Sequence, residues 1–191
     1  MSEMAIAYKT PRFTVEEYDR MVDAGIFDMH PRVELVHGEL IEPMAPMNLP
    51  HQRVIIMLTG LIAPRLSGRA DVSVQTPIRL NGNSEPEPDL AILKPEWVQT
   101  NKKPGPQDIF WLIETAHSSR DFDRNVKMPL YASVGISEAW LIDLIDDVIV
   151  VYRDPRPDGY ATTLTFTRGQ TIAPLAFPDE HLPVSEMLPP R

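Results

Sequence analysis

The 191-residue sequence contains no cysteine, and this absence removes several kinds of site at once. Disulfide bonds, thiolate metal ligands and cysteine nucleophiles are excluded, and the composition is typical of a reducing compartment. Any metal ion would have to bind to oxygen or imidazole ligands. No two of the histidines stand at zinc-ligand spacing, which argues against a zinc site: His30, His37, His51, His117 and His181.

Long apolar runs and several enzyme motifs are also missing. No segment approaches the roughly 18 consecutive apolar residues of a membrane helix, and the first residues lack the basic-then-apolar pattern of a signal peptide. We therefore expect a cytoplasmic protein with no membrane partner. The sequence has no glycine-rich phosphate-binding loop and no GxSxG nucleophile motif, and its serines suggest no catalytic triad.

Positive charge is scarce. Lysine and arginine number 18 against 27 aspartates and glutamates, which gives a net charge of -9. Affinity for nucleic acid comes largely from basic side chains at phosphates, so this balance weighs against DNA as a partner. Metal ions can offset a local acidic cluster, and we expect that five basic residues could still gather on one face: Arg65, Arg69, Arg120, Arg124 and Lys127.

The length and composition predict one soluble globular domain over residues 1–191. Of these residues, 43% are hydrophobic and 24% are charged, as in ordinary folded proteins. The recognisable core runs from about 14 to 151. A C-terminal strand and a proline-rich tail follow over 160–191, and we expect this tail to wrap around the surface.

Periodic patterns predict a helix, a hairpin, a second helix and then several strands interrupted by one helix. Thr14 and Glu17 have the spacing of a capping box, and His37-Gly38 suits a tight hairpin turn. The second helix is expected from Asn48 to about Leu66, with Pro64 ending or bending it. Strands are expected over 71–80, 89–93, 109–114, 138–153 (two strands) and 160–169, and the third helix over 118–136, kinked or divided by Pro129.

This order of elements predicts an α/β (α+β) fold in which helices flank a mixed sheet. Two of the expected strands carry a carboxylate at one end: Asp89 precedes LAIL, and Glu114 ends IFWLIE. If these strands are antiparallel neighbours, both carboxylates meet at one sheet edge, where they would suit Mg²⁺ or Mn²⁺. The alternative is that both are solvent-exposed strand ends. Glu85 and Glu87 are expected to be solvated loop charges.

Three further residues are candidates for the same site. Lys127 lies on the helix that follows the Glu114 strand and can return over the end of that strand; alternatively it forms an exposed ion pair with Asp123. Glu34 alternates with apolar residues in the hairpin, and His51 lies near the start of the second helix. Each of these two is equally consistent with an ordinary surface position.

Several segments together resemble a known family. RVELVHGELIEPMAP, PHQRV, PEPDLAIL and WLIETAHSSRDFDRNVKMPLYASVGISEAWLID are similar to the Uma2 family, formerly the domain of unknown function 820, in the PD-(D/E)XK restriction-endonuclease-like superfamily. The resemblance extends from about 14 to 151. The superfamily pattern has an aspartate after a proline, then an acidic residue two positions before a lysine. Pro88-Asp89 and Glu114 match this pattern, whereas Ala116 occupies the lysine position.

This resemblance implies a restriction-endonuclease-like core and a Mg²⁺-dependent DNA endonuclease that hydrolyses phosphodiester bonds. It makes Asp89 and Glu114 ligands of Mg²⁺ or Mn²⁺, gives Lys127 the role of the missing lysine, and places Glu34 and His51 beside them. It also suggests a homodimer. Two other hypotheses stay open: a catalytically inactive, dimeric binding or assembly module, which the acidic charge favours, and a hydrolase that uses the carboxylate pair on another substrate.

Overall fold

The computed structural model describes residues 10–30, 32–42 and 49–190. The strands are β1 (Glu34–Val36), β2 (Glu39–Ile41), β3 (Asp71–Val74), β4 (Leu90–Leu93), β5 (Ile109–Ala116), β6 (Glu138–Asp143), β7 (Val148–Arg156), β8 (Gly159–Phe166), β9 (Thr171–Ile172) and β10 (Leu182–Pro183). The helices are α1 (Val15–Asp23), α2 (Leu49–Arg65), α3 (Arg120–Phe122), α4 (Met128–Ser133) and α5 (Val184–Met187), with a π-helical turn (Asp123–Lys127) joining α3 to α4.

A six-stranded sheet forms the centre of the fold, with its strands in chain order from β3 to β8. Strands β5 and β6 are parallel because α3 and α4 connect them, whereas the other neighbours are antiparallel. The hairpin of β1 and β2 lies apart from this sheet. The prediction of a mixed central sheet flanked by helices is therefore confirmed.

Helices cover both faces of this sheet, as the continuous apolar pattern of β5 requires. On one face, Trp111 and Ile113 pack with α2 and the C-terminal segment. On the other face, Leu112 and Ala116 pack with α4. Successive residues of a strand point to opposite faces, so Glu114 lies on the same face as Leu112, beneath α4. Among the described helices, none has both the length and the apolar character needed to cross a bilayer.

The locally encoded features form as the sequence predicts. The Thr14 hydroxyl accepts a hydrogen bond from the Glu17 backbone amide, and the Glu17 carboxylate accepts one from the Thr14 amide, which completes the capping box. His37 and Gly38 both have positive φ, at 52° and 79°, as a two-residue hairpin turn demands. Helix α2 ends one residue after Pro64. The expected start at Asn48 lies outside the described residues.

The strand predicted over 71–80 is shorter in the structure. Strand β3 ends at Val74, because Gln75 turns the chain with a positive φ of 47°. Beyond this turn, the amides of Ile78 and Leu80 donate to carbonyls of the loop that precedes β4. The segment therefore pairs with that loop instead of extending the sheet, and it holds the loop against the entrance to β4.

The C-terminal tail is part of the core, so the prediction that it wraps around the surface is wrong. The Phe177 ring packs 5.8 Å from the Trp111 ring, measured between centroids. The buried Glu138 on β6 accepts hydrogen bonds from Arg153 and from the backbone amide of Leu175. These contacts fasten the tail to the sheet. Its buried apolar residues are Ile172, Phe177, Leu182, Val184, Met187 and Leu188.

Candidate active site

All five side chains predicted for a site line one cleft at the end of the central sheet. Glu34 comes from β1, His51 from the first turn of α2, Asp89 from the position before β4, Glu114 from β5 and Lys127 from the π-helical turn. The cleft therefore joins elements that lie far apart in the sequence. Its other lining residues are Arg32, Gln75, Glu87, Thr115, Ser119 and Asp123.

Asp89 and Glu114 are brought together by strand pairing. Strands β4 and β5 are antiparallel, and Leu90 lies opposite Ile113, so the residue before Leu90 lies beside the residue after Ile113. Asp89 is 7% exposed and Glu114 is 3% exposed, so neither is a solvated strand end. One oxygen of Asp89, Oδ2, accepts a hydrogen bond of 2.7 Å from the Thr115 amide. Pairing and this bond fix both carboxylates at one edge.

The second oxygen of Asp89 faces α2. Oδ1 lies 2.9 Å from Nε2 of His51 and 3.4 Å from the side-chain nitrogen of Gln75. The carboxylate is therefore held by groups from three separate elements: β5, α2 and the turn after β3. His51 is a neighbour of Asp89 and not an isolated surface residue.

Lys127 lies among oxygen atoms at the centre of the cleft. Its Nζ is 3.2 Å from Glu34 Oε2, 3.3 Å from Glu114 Oε1 and 3.4 Å from the Glu87 carbonyl oxygen. The residue is only 5% exposed, so the alternative of an exposed ion pair with Asp123 is wrong. Burial lowers the pKa of Lys127, but the surrounding carboxylates, led by Glu114 and Glu34, raise it by more. The carboxylates around Lys127 therefore favour its ammonium form.

The π-helical turn explains what Pro129 does to the third helix. Proline has no amide hydrogen. In a regular α-helix its ring would clash with the carbonyl four residues earlier, here that of Asn125. The helix widens at this point: the Met128 amide bonds to the Asp123 carbonyl, five residues back. Both ends of the widened turn, Asp123 and Lys127, are buried and line the cleft. Pro129 thus distorts the helix where it supplies two side chains to the site.

Glu114 receives a second donor from α4. The Tyr131 hydroxyl donates a hydrogen bond of 2.5 Å to Glu114 Oε1. Burial raises the pKa of Glu114 well above its ordinary value; Lys127 opposes this increase, whereas Asp123 and Asp89 add to it. Burial, followed by the negative charge of Glu114, also raises the pKa of Tyr131. The phenol therefore stays protonated and remains the donor of this bond.

The two loop acids before Asp89 are not solvated charges, and that prediction is wrong. Glu85 is 1% exposed and forms ion pairs with Arg79, at 2.7 Å, and with Lys103. Glu87 lines the cleft, and burial followed by the nearby charge of Glu34 raises its pKa. Backbone hydrogen bonds donated by the amides of residues 78 and 80 fold this loop inward. Composition alone does not reveal these bonds.

Asp123 is the most informative residue that the sequence analysis missed. It is buried in the cleft, where Ser119 donates a hydrogen bond of 2.6 Å to its carboxylate. Burial raises the pKa of Asp123 to about 6, although Lys127 and Ser119 oppose the increase. Its position four residues before Lys127 is a usable signal, because residues at this spacing share one face of a helix.

The donor set of this cleft fits a hard divalent cation. Asp89 and Glu114 offer carboxylate oxygens, the ligands that Mg²⁺ and Mn²⁺ prefer. Within residues 10–30, 32–42 and 49–190, however, no three acidic or histidine side chains are already arranged as ligands of one metal ion. Among the described residues that line the cleft, five carboxylates face the cationic side chains of Arg32 and Lys127, with His51 beside Asp89. This excess of acidic over basic side chains favours an added cation.

Replacing Asp123 with asparagine is expected to stabilise the metal-free protein by about 3 kcal/mol at pH 7, given ~1.4 kcal/mol for each pKa unit. Folding raises the pKa of Asp123 from 3.8 to about 6, so above pH 6 the folded state carries a charge that its surroundings disfavour. The stability cost is absent below pH 3.8, grows as the pH rises to about 6 and is then constant. Urea unfolding between pH 4 and 8 measures this difference.

The matched control is Asp121→Asn on the same helical segment, where the side chain is exposed. This substitution should change the free energy of unfolding by less than about 0.5 kcal/mol at any pH. An Asp123→Asn protein that is less stable than wild type between pH 6 and 8 would contradict the prediction.

The basic residues that were expected to gather on one face do not form such a surface. Helices α2 and α3 lie on opposite faces of the sheet, and the four arginines of this set are ion-paired with acids. Lys127 is buried. The pairs are Arg65 with Glu186, Arg69 with Asp179, and Arg120 and Arg124 with Asp143.

Comparisons with known proteins agree with this fold. The crystal structure of a "putative nuclease belonging to DUF820" from Anabaena variabilis ATCC 29413 matches with a TM-score of 0.68 and 17% sequence identity, over 92% of this chain and 97% of that one. At this identity the match shows the fold. No curated protein matches the sequence. The family model of Uma2, described as "Putative restriction endonuclease", matches residues 15–185, and the chain therefore belongs to the Uma2 family.

Proposed function

We propose that the chain is a DNA endonuclease that uses Mg²⁺ or Mn²⁺ to hydrolyse phosphodiester bonds. The observation that carries this proposal is the pair of buried carboxylates, Asp89 and Glu114, which strand pairing places at one edge beside the buried Lys127. Membership of a restriction endonuclease family supports nuclease activity in general. The choice of metal rests on the oxygen donors of the cleft.

In the proposed mechanism, Asp89 and Glu114 would hold the ion. A bound ion would polarise the phosphodiester and lower the pKa of a water molecule. The Thr115 amide and His51 each fix one oxygen of Asp89, which keeps this carboxylate in a single orientation. The reaction would join a water oxygen to phosphorus and break one phosphorus–oxygen ester bond, and a proton from the water would end on the departing oxygen as an alcohol.

Lys127 has two tasks in this mechanism. Its ammonium group lies between Glu34 and Glu114, where it attracts both carboxylates and offsets negative charge in the cleft. It also supplies fixed positive charge near the phosphate, where negative charge grows in the transition state. Glu34 anchors Lys127 from the hairpin side and also accepts a hydrogen bond from the Glu87 amide.

The charge of the cleft predicts that nucleic acid binding, and not only cleavage, requires a divalent cation. Five carboxylates against Arg32 and Lys127 repel a phosphate unless a cation is present. A labelled DNA duplex should therefore bind at least about tenfold more tightly in Ca²⁺ than in EDTA, as a difference of ~1.4 kcal/mol gives. Fluorescence anisotropy at constant ionic strength measures this ratio. Equal affinity in the two buffers would contradict the expectation.

Nicking of supercoiled plasmid tests the activity itself. Wild-type protein with Mg²⁺ or Mn²⁺ should convert the supercoiled form into nicked and linear forms, and EDTA should prevent the conversion. Linear and single-stranded DNA serve as further substrates in the same assay. Failure to cleave any of the three with either ion would overturn the proposal.

A catalytically inactive binding or assembly module is the second candidate. The observation that favours it is the ion pairing of Arg65, Arg69, Arg120 and Arg124 with acids, which leaves these four side chains less available to phosphates. Such a module would bind Mn²⁺ in calorimetry without cleaving DNA. A homodimer is proposed for either function, and analytical ultracentrifugation measures it.

A further inference from the structure

Tyr131 contacts Glu114 in a way that core packing does not require. Its ring is fully buried on the face of the sheet that α4 covers, in the same apolar cluster as Leu112 and Leu141. A phenylalanine would fill the same space. A buried hydroxyl costs free energy unless it is hydrogen-bonded, so the phenol of Tyr131 must have a partner, and that partner is a predicted metal ligand.

The two donors around Glu114 act on the same oxygen. The Tyr131 hydroxyl lies 2.5 Å from Oε1, and Nζ of Lys127 lies 3.3 Å from that atom. Both donors come from one helical segment, at positions four residues apart, and so approach the strand from the same side. Together they hold one end of the carboxylate and restrict its rotation.

We propose that Tyr131 is a positioning residue that holds Glu114 Oε1, so that Oε2 is presented to the divalent ion. This inference rests on the proposed metal-dependent function and adds a residue that acts through Glu114. Groups that orient a metal ligand by a hydrogen bond commonly change metal affinity when they are removed. Lys127 compensates the charge of Glu114, whereas Tyr131 sets its direction.

The test is Tyr131→Phe, which removes the hydroxyl and keeps the ring that packs in the core. Calorimetric titration with Mn²⁺ should give an affinity about tenfold weaker than that of wild type, at the lower end of the range for such orienting groups. In the nicking assay, the half-saturating Mg²⁺ concentration should rise by about the same factor, and the rate at saturating Mg²⁺ should recover to within about threefold of wild type. A purely structural role would lower the active fraction and leave the half-saturating concentration unchanged.

Tyr160→Phe is the matched control. Tyr160 is partly buried on this side of the sheet, and its hydroxyl donates a hydrogen bond of 2.9 Å to the Ile136 carbonyl, outside the cleft. Its removal should leave the Mn²⁺ affinity at the wild-type value. Thermal unfolding of both variants shows whether each retains the fold.

The two proposals fail in different ways. If wild-type protein takes up no Mn²⁺, the proposed function is overturned, and the role of Tyr131 with it. If wild type binds Mn²⁺ and a folded Tyr131→Phe protein binds it with equal affinity, the role of Tyr131 is overturned and the metal-dependent function stands. A tenfold loss in Tyr131→Phe, with no loss in Tyr160→Phe, supports both.

Discussion

Replacement of Asp89 by asparagine is expected to lower the rate of plasmid nicking by at least about 1,000-fold, a loss of ~4 kcal/mol of transition-state stabilisation. The asparagine side chain has the same shape, and its carbonyl oxygen can still accept the hydrogen bond from the Thr115 amide. The backbone bond between Gln75 and residue 89 is also retained. The substitution therefore removes the negative charge and one oxygen ligand while leaving the local structure in place.

Three measurements separate this effect from misfolding. Nicking is followed at saturating Mg²⁺, Mn²⁺ affinity by calorimetry, and the fold by urea unfolding. The matched control is Asp71→Asn at the start of β3, an exposed aspartate paired with Leu93 at the opposite end of β4. This control should nick at the wild-type rate. An Asp89→Asn protein with more than a tenth of wild-type activity would show that Asp89 is not a metal ligand.

The features that the sequence predicts well depend on residues close together in the chain. The capping box of Thr14 and Glu17 spans four residues, and the hairpin turn of His37 and Gly38 spans two. Apolar periodicity is equally local and identifies α2 and the buried strand β5. In these cases the backbone conformation is determined by neighbours, so pattern alone is sufficient.

The proximity of Asp89 and Glu114 was predictable only on the condition that β4 and β5 pair in antiparallel fashion. The register of Leu90 with Ile113 satisfies this condition. The partners of Lys127 were not predictable in this way, because Glu34 lies 93 residues away on the hairpin. A long-range contact of this kind depends on how the hairpin and the loop before β4 pack against the helical segment. This packing leaves no periodic pattern in the sequence.

Two acidic residues of the cleft were not identified from the sequence, and the physical reason is the same for both. Glu87 and Asp123 occupy positions where charged residues are ordinarily exposed, a loop and a helix, and the surrounding fold encloses them. Enclosure raises the pKa of both. A site that collects like charges lowers the stability of the fold and gains the capacity to bind a ligand. At such sites, rules based on residue solubility and secondary-structure propensity predict exposure wrongly.

Replacement of Lys127 by methionine is expected to destabilise the metal-free protein by about 3 to 5 kcal/mol, because it leaves buried carboxylates without their cation. Methionine has nearly the same length and fills the apolar part of the space. Glu34 and Glu114 would then face each other without compensation. Nicking should also fall, because the fixed positive charge near the phosphate is lost. Urea unfolding at pH 7 measures the loss of stability.

A double substitution distinguishes loss of charge balance from loss of packing. If uncompensated charge is the cause, Lys127→Met combined with Glu114→Gln should recover at least about 2 kcal/mol, as coupling energies of 0.5–3 kcal/mol between contacting groups allow. Activity should stay absent, because the metal ligand is gone. Lys102→Met, at an exposed lysine, is the matched control and should be neutral within about 0.5 kcal/mol. If the double variant is no more stable than Lys127→Met, packing and not electrostatics holds Lys127 in the cleft.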